Sequence, residues 1–150
     1  MRKPIVYALF IVAIVLAGFL TGISNRPGLW FDALEKPFFQ PPNWLFGPVW
    51  TVLYVMIAVA GARIWLTAPT SARMGLWAVQ MLLNLAWSPA FFGLQNPELA
   101  LAIVLPLVAV NVGFIVMSWH KDRIAAALFV PYALWTGFAA ALNGAIVVLN

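Results

Sequence analysis

The sequence of 150 residues contains no cysteine and very few charges. Without cysteine the chain cannot form a disulfide or a thiolate zinc site, and it has no thiol nucleophile. Lys, Arg, Asp and Glu together make up 8% of the residues, whereas an ordinary soluble domain carries about 25%. Hydrophobic side chains make up 65%. Because this composition leaves too little polar surface to cover a water-soluble fold, it predicts an integral membrane protein.

Chemically reactive side chains are equally scarce. The net charge is +4, but the basic residues stand singly or in pairs between apolar blocks, so we predict no nucleic-acid partner. His120 has no second histidine or nearby carboxylate, and no metal site is predicted. Asp32 and Glu35 are three residues apart, but Lys36 follows them, so capping and solvation explain them better than acid–base chemistry. We predict no catalytic residue.

The spacing of the few charges predicts the topology. Five stretches without Lys, Arg, Asp or Glu are each at least 22 residues long, and a membrane-spanning helix needs about 20 residues. Such long apolar stretches exceed barrel strands, so each is expected to be helical. The first is also too long for a typical signal peptide and has no clean cleavage site. The sequence therefore predicts an all-α bundle of five transmembrane helices in a single domain, approximately at 5–24, 44–66, 72–92, 98–119 and 124–148.

Lys and Arg in the connections predict the orientation. Arg26 and Lys36 fall between the first two predicted helices, whereas the other six basic residues fall on the amino-terminal side of the bundle. The excess of positive charge predicts a cytoplasmic N-terminus.

The long connection, 24–43, then lies outside and is the only segment large enough to form a lid. Within it, 32–36 is predicted to form one or two helical turns that Pro37 ends.

Polar side chains within the predicted spans indicate which faces point inward, because a polar group in lipid needs a partner. In the third predicted helix Gln80, Asn84 and Ser88 recur every four residues and lie in one column. That column must face protein or a cavity. For either amide, Gln80 or Asn84, hydrogen bonding between helices is a more common role than ligand binding.

Tryptophan is unusually frequent, with eight residues in 150. Those near the helix ends fit an interface belt. Trp50, Trp87 and Trp135 lie a turn or more inside their predicted spans, where rings can stack on a flat apolar ligand and the indole N–H can bond its polar edge. The first and fourth predicted helices carry fewer polar groups and are expected to act as support. Gly18 and Gly22 form a GxxxG pattern that fits either a dimer seam or close packing within one bundle.

Several motifs resemble the TspO/MBR family of translocator and tryptophan-rich sensory proteins. Their order and spacing extend over essentially the whole chain, which makes the resemblance specific. The motifs are WFDALEKP at 30–37, PPNW at 41–44, GPVWTVLY at 47–54, NLAWSPAFFG at 84–93, PYALW at 131–135 and LN at 142–143.

The resemblance implies a five-helix bundle, commonly a homodimer, here of the type found in bacterial cell membranes. It also implies a pocket beneath the first loop that binds porphyrin, haem or similar flat ligands, with no cofactor required. Phe31 stands where many members have Tyr, which removes one hydroxyl. The tail lacks the Tyr and the basic residue of the animal sterol motif. The ligand-binding positions that the resemblance implies are Trp30, Phe31, Trp50, Tyr54, Asn84, Trp87, Ser88, Phe91, Trp135, Ala139 and Leu142.

Three functional classes remain open at this point. The protein is expected to act in tetrapyrrole transport or in ligand-dependent, stress-linked regulation. The alternative is an enzyme-like protein that promotes oxidative or light-dependent porphyrin degradation. Because the residues supply no acid–base or metal centre, binding with transport or sensing is the preferred hypothesis.

Overall fold

The computed structural model describes residues 2–150, which form an all-helical chain. Side chains at three helix starts accept a backbone N–H and so replace a missing intrahelical partner. Ser71 accepts from Met74, Asn96 from Leu99 and Asp122 from Ala125. The elements are α1 (Lys3–Ser24), α2 (Leu29–Ala33), α3 (Asn43–Thr67), α4 (Ala72–Ser88), a π-helical segment (Pro89–Gly93), α5 (Pro97–Ser118) and α6 (Arg123–Leu149).

Four of these helices, α1, α3, α5 and α6, are long and apolar enough to cross a membrane. The third predicted span differs from the expectation because it is divided into α4, of 17 residues, and the π-helical segment. Pro89 has no N–H to donate to the preceding turn. The chain then continues with hydrogen bonds between residues five apart, such as that from the Leu94 N–H to the Pro89 carbonyl at 2.8 Å. The structure thus supports a multi-pass membrane protein with four such helices.

The long helices form a closed ring. Helix α1 packs against α3, α3 against α6, α6 against α5, α5 against α4, and α4 returns to α1. The centre is filled by Ile57, Phe114, Phe129 and Tyr132, none of which has exposed surface. The rings of Phe114 and Phe129 lie 4.0 Å apart between centroids. This packing joins α3, α5 and α6 into one core.

Two glycines let aromatic rings pack directly on a helix backbone. A Cβ at Gly61 would overlap the indole of Trp77, whose N–H donates to the Ile57 carbonyl at 2.9 Å. A Cβ at Gly18 would overlap the ring of Tyr54. Gly18 therefore serves close packing within one bundle, which is one of the two roles left open for the GxxxG pattern. Gly22 has no atom within 4 Å of such a Cβ.

One end of the bundle carries an ion pair. Arg63 of α3 donates through Nε to both carboxylate oxygens of Asp122, at 3.1 and 3.0 Å. Burial tends to raise the pKa of the Asp122 carboxyl, but the hydrogen bonds from Arg63 and from the Ala125 backbone outweigh it, so the pKa lies below its ordinary value. This pair fixes the end of α3 to the start of α6.

The opposite end carries the long connection. The prediction of helical turns at 32–36 is wrong in position, because α2 spans Leu29–Ala33 and Leu34 is extended. Two causes are visible. The side chain of Asn150 accepts from the Glu35 N–H and donates to the Glu35 carbonyl, both at 2.9 Å, so these groups are not free for a helix. Lys36 also precedes Pro37, which disfavours helical backbone.

Candidate functional site

A cavity of about 970 Å³ lies among the helices at the end that carries the long connection. None of the described residues that line it has a formal charge, so its polar groups are amides, hydroxyls and indoles. All the predicted ligand-binding residues line it except Trp30, whose ring packs against Phe91 at 5.8 Å between centroids. The predicted residues that the cavity brings together are Phe31, Trp50, Tyr54, Asn84, Trp87, Ser88, Phe91, Trp135, Ala139 and Leu142.

The connection places Phe31 over the cavity. Helix α2 buries this ring against Phe91 and Phe92, with centroids 6.1 and 5.4 Å apart. The ammonium group of Lys36 lies 4.6 Å from the Phe31 centroid, a cation–π contact. Below it, Trp87 and Phe91 stack at 5.1 Å. A set of aromatic faces therefore borders the cavity on its loop side.

The polar column of α4 is tied to two other helices. Tyr54 of α3 donates its hydroxyl proton to Oδ1 of Asn84 at 3.0 Å. Nδ2 of Asn84 donates to the hydroxyl of Tyr132 on α6 at 2.6 Å, and that hydroxyl donates to Oε1 of Gln80 at 2.8 Å. Both polar atoms of Asn84 are thus engaged. The arrangement favours the interhelical role for Gln80 and Asn84, although Asn84 also borders the cavity.

The indole of Trp87 is held in place through its N–H. It donates to Oδ1 of Asn143 on α6 at 3.0 Å, and Nδ2 of Asn143 donates to the Pro97 carbonyl at the start of α5 at 2.8 Å. This N–H is therefore occupied within the protein. The ring face of Trp87 remains part of the cavity wall.

The indole of Trp135 differs from that of Trp87. Its ring packs between Phe46 and Phe138, with centroids 5.7 and 5.6 Å away. Its Nε1 is buried and has no hydrogen-bond partner among the described residues. An unpaired buried donor costs about 1–3 kcal/mol. Trp135 lines the cavity, and because its Nε1 is buried, the indole must turn before an acceptor on a bound molecule can reach this N–H.

Two helices that were expected only to support the bundle also line the cavity, so that expectation is wrong. Helix α1 contributes Gly18, Thr21 and Gly22, Asn25 follows directly after its last residue, and α5 contributes apolar residues including Val104. The spacing of four between Gly18 and Gly22, and between Thr21 and Asn25, is the sequence signal for the face of α1 that lines the cavity. The α5 residues offer no such signal because they are ordinary apolar side chains.

The His, Asp and Glu side chains of the described residues are dispersed. Within residues 2–150 no group of three His, Asp or Glu side chains is placed to hold a metal ion. The cavity itself is lined by uncharged side chains. What the arrangement can do chemically is to enclose an apolar body, stack aromatic rings on it and offer hydrogen bonds from the amides, hydroxyls and indoles of its wall.

Comparison with known proteins gives a consistent result. A model of the TspO/MBR family matches residues 8–149. The tryptophan-rich protein TspO of Archaeoglobus fulgidus is 40% identical over 151 residues, which covers 99% of this chain and 97% of that protein. Protein CrtK of Rhodobacter capsulatus is 37% identical over 148 residues, with 96% and 92% covered. The human translocator protein is 34% identical over 120 residues, with 76% and 70% covered.

Proposed function

The chain belongs to the TspO/MBR family of membrane proteins, and from that premise we propose that it binds a flat, mainly apolar ligand of the porphyrin or haem type in its cavity. The volume of about 970 Å³ falls within the range of small-molecule pockets, roughly 300–1,000 Å³. The observation that carries the proposal is the wall of the cavity, which combines stacked aromatic rings with amide, hydroxyl and indole groups and has no formal charge. Such a wall favours a ligand with a large ring surface and a hydrogen-bond acceptor.

The aromatic residues have different roles in the proposed binding. Trp50 lies on α3 beside Tyr54, with ring centroids 5.4 Å apart, and Trp87 stacks on Phe91 from the other side of the bundle. These rings supply stacking surface, which is worth about 0.5–1.5 kcal/mol per pair beyond area burial. Trp135 supplies the donor. Phe31 covers the ligand from the side of the connection.

We propose in addition that α4 and the π-helical segment form a fifth span. Together Ala72–Gly93 contain 22 residues without a break, enough for a hydrocarbon core of about 30 Å. The Arg63–Asp122 pair places the α3 end with the α6 start, and the Glu35–Asn150 contact places the α6 end with the connection. With five spans the excess of Lys and Arg lies with the N-terminus, in the cytoplasm of a bacterial-type cell.

Ligand binding is proposed as the core activity, with tetrapyrrole transport or stress-linked regulation as its outcome. Among the relatives, one from Cereibacter sphaeroides is named a tryptophan-rich sensory protein, and the human relative is named a translocator protein. Both names fit a protein that recognises a small molecule within the membrane. A homodimer is expected from the resemblance and stays a prediction.

The proposal is tested by titrating the reconstituted protein with protoporphyrin IX and following the shift of the Soret band. We expect a saturable shift in the wild type. Trp135→Phe keeps the ring but removes the N–H, and it should weaken binding about five- to tenfold, the size of one hydrogen bond.

Trp44→Phe is the matched control, because Trp44 is 71% exposed and lies outside the cavity lining. Its affinity should equal that of the wild type. A wild-type shift that grows linearly without saturation would contradict the proposal. A Soret band that decays with time under light, with product formed, would favour porphyrin degradation instead.

A further inference from the structure

The cavity does not stop at the inner face of α1. Its lining includes two neighbouring strips on that helix, each with the spacing i, i+4, i+7, i+11 of one helical face. The first strip faces the bundle and consists of Ile11, Val15, Gly18 and Gly22. The second strip is one residue further round the helix, is exposed, and consists of Val12, Leu16, Phe19 and Ile23.

Helix α3 shows the same continuation from the inside to the outside. Gly47, Thr51 and Tyr54 line the cavity with the spacing i, i+4, i+7 of one face, which meets α1 at Tyr54. Val55 lines the cavity one residue further round, and both Thr51 and Val55 are exposed. Helices α1 and α3 are antiparallel neighbours, so the outer strips of both helices lie on the same side of the pair. The cavity therefore passes between α1 and α3 to the outer surface of the bundle.

Two glycines keep this passage wide. Gly22 on α1 and Gly47 on α3 both line the cavity, and a Cβ at either would meet no atom within 4 Å. Nearer the opposite end of the bundle, Gly18 is in direct contact with the ring of Tyr54, which closes the two helices together. The opening thus lies between this contact and the long connection.

The outer strips are apolar and lie on helices able to cross a membrane, so the opening faces lipid. Val12 and Phe19 are 63% and 60% exposed. The aqueous side is covered in part, although Pro27 and Asn43 at this end line the cavity and are exposed. Phe31 is buried over the cavity, and the backbone around Glu35 is held by Asn150.

We propose that the cavity receives its ligand sideways from the bilayer, through the opening between α1 and α3. This inference rests on the proposed ligand-binding function and narrows the ligand class to molecules that dissolve in lipid before they bind. Water-soluble molecules that do not partition into the bilayer cannot use this route, whatever their fit to the cavity.

The natural chain has no cysteine, so a single introduced thiol can report on access without background. Ala139→Cys places it on the cavity wall supplied by α6. In vesicles that contain the full chain, we compare its labelling by an uncharged apolar maleimide with that by a sulfonated, membrane-impermeant maleimide. The apolar reagent should react at least about tenfold faster, relative to the rates of the two reagents on the unfolded protein.

The opening is then narrowed from each helix. Gly22→Leu and Gly47→Leu, each in the Ala139→Cys background, should slow labelling by the apolar maleimide by about tenfold. Gly75→Leu is the matched control, because Gly75 is exposed at the start of α4, outside the cavity lining, and a Cβ there meets no atom within 4 Å. Monodisperse elution of all variants checks that they fold.

The outcomes separate the two proposals. Equal labelling by both reagents, or labelling that neither glycine substitution slows, would overturn the lateral route. Slowed labelling in both variants supports it even if protoporphyrin IX fails to bind, because labelling does not depend on that ligand. Saturable protoporphyrin binding with unchanged labelling would instead preserve the proposed function and remove the route.

Discussion

The two ends of the bundle are built from the same residue types but use them in opposite ways. At the end of the Arg63–Asp122 pair, glycine and aromatic residues meet, as where Gly61 receives the indole of Trp77. At the end of the long connection, a Cβ at Gly22 or Gly47 would meet no atom within 4 Å, and aromatic rings border an open cavity. The difference teaches that close packing is concentrated at the closed end, whereas the proposed ligand binding belongs to the open end.

The largest expected effect is a change in the free energy of unfolding when a glycine at each end is replaced by alanine. Gly61→Ala would place a Cβ into the Trp77 indole and should destabilise the protein by about 1–3 kcal/mol. Gly22→Ala, at the open end, should change the free energy of unfolding by less than about 0.5 kcal/mol. The free energy of unfolding of both variants is measured in mixed micelles. Equal losses in the two variants would remove the distinction between the ends.

A smaller effect is expected from the ion pair at the closed end. The Arg63–Asp122 pair should show a coupling energy of about 1 kcal/mol at pH 7 in a double-mutant cycle with Arg63→Gln and Asp122→Asn. Because the folded pKa of Asp122 is lowered, this stability is present above the unfolded pKa and is lost as pH falls through the folded pKa. The cycle, measured from pH 7 down to the acid limit of folding, should show the coupling fade. A coupling that persists after the carboxyl is protonated would contradict the assignment.

The smallest effect concerns the connection at the open end. Asn150→Ala removes two hydrogen bonds to the Glu35 backbone that are exposed to solvent, so the free energy of unfolding should fall by only a few tenths of a kcal/mol. Amide exchange of Glu35 should nevertheless become faster. The Gln40 amide, bonded to the Pro37 carbonyl, should keep its rate and serves as the internal control. Unchanged exchange at Glu35 would show that Asn150 does not hold the connection.

Much of the fold follows from local patterns, and the exceptions have physical causes. Helices α1, α3, α5 and α6 begin and end within two residues of the predicted ranges, because long apolar stretches alternate with short polar or proline-containing connections. The split of the third predicted span at Pro89 depends on how the freed backbone groups are paired, which composition does not reveal. The position of α2 depends on Asn150, which is 115 residues from Glu35 in the chain.

The cavity was predictable on the side where polar and aromatic residues mark it. Asn84 and Trp135 are rare in apolar helices, so the sequence itself singles them out. The wall from α1 carries a weaker mark, the spacing of four between Gly18 and Gly22, because a glycine adds no side chain to the wall. The exclusion of Trp30 from the lining depends on a rotation of α2 that places Phe31 inward instead. Such choices are made by packing between segments.

The hydrogen bond from Tyr54 to Asn84 gives the cavity a direction. Since the hydroxyl of Tyr54 has one proton and donates it to Asn84, its oxygen can offer only lone pairs to the cavity. Trp135 offers only a proton. A ligand of the proposed kind that bonds both groups would meet an acceptor on α3 and a donor on α6, so two orientations that differ by a half turn would not be equivalent in energy. Such a pair of groups would fix how a nearly symmetrical ring sits in the cavity.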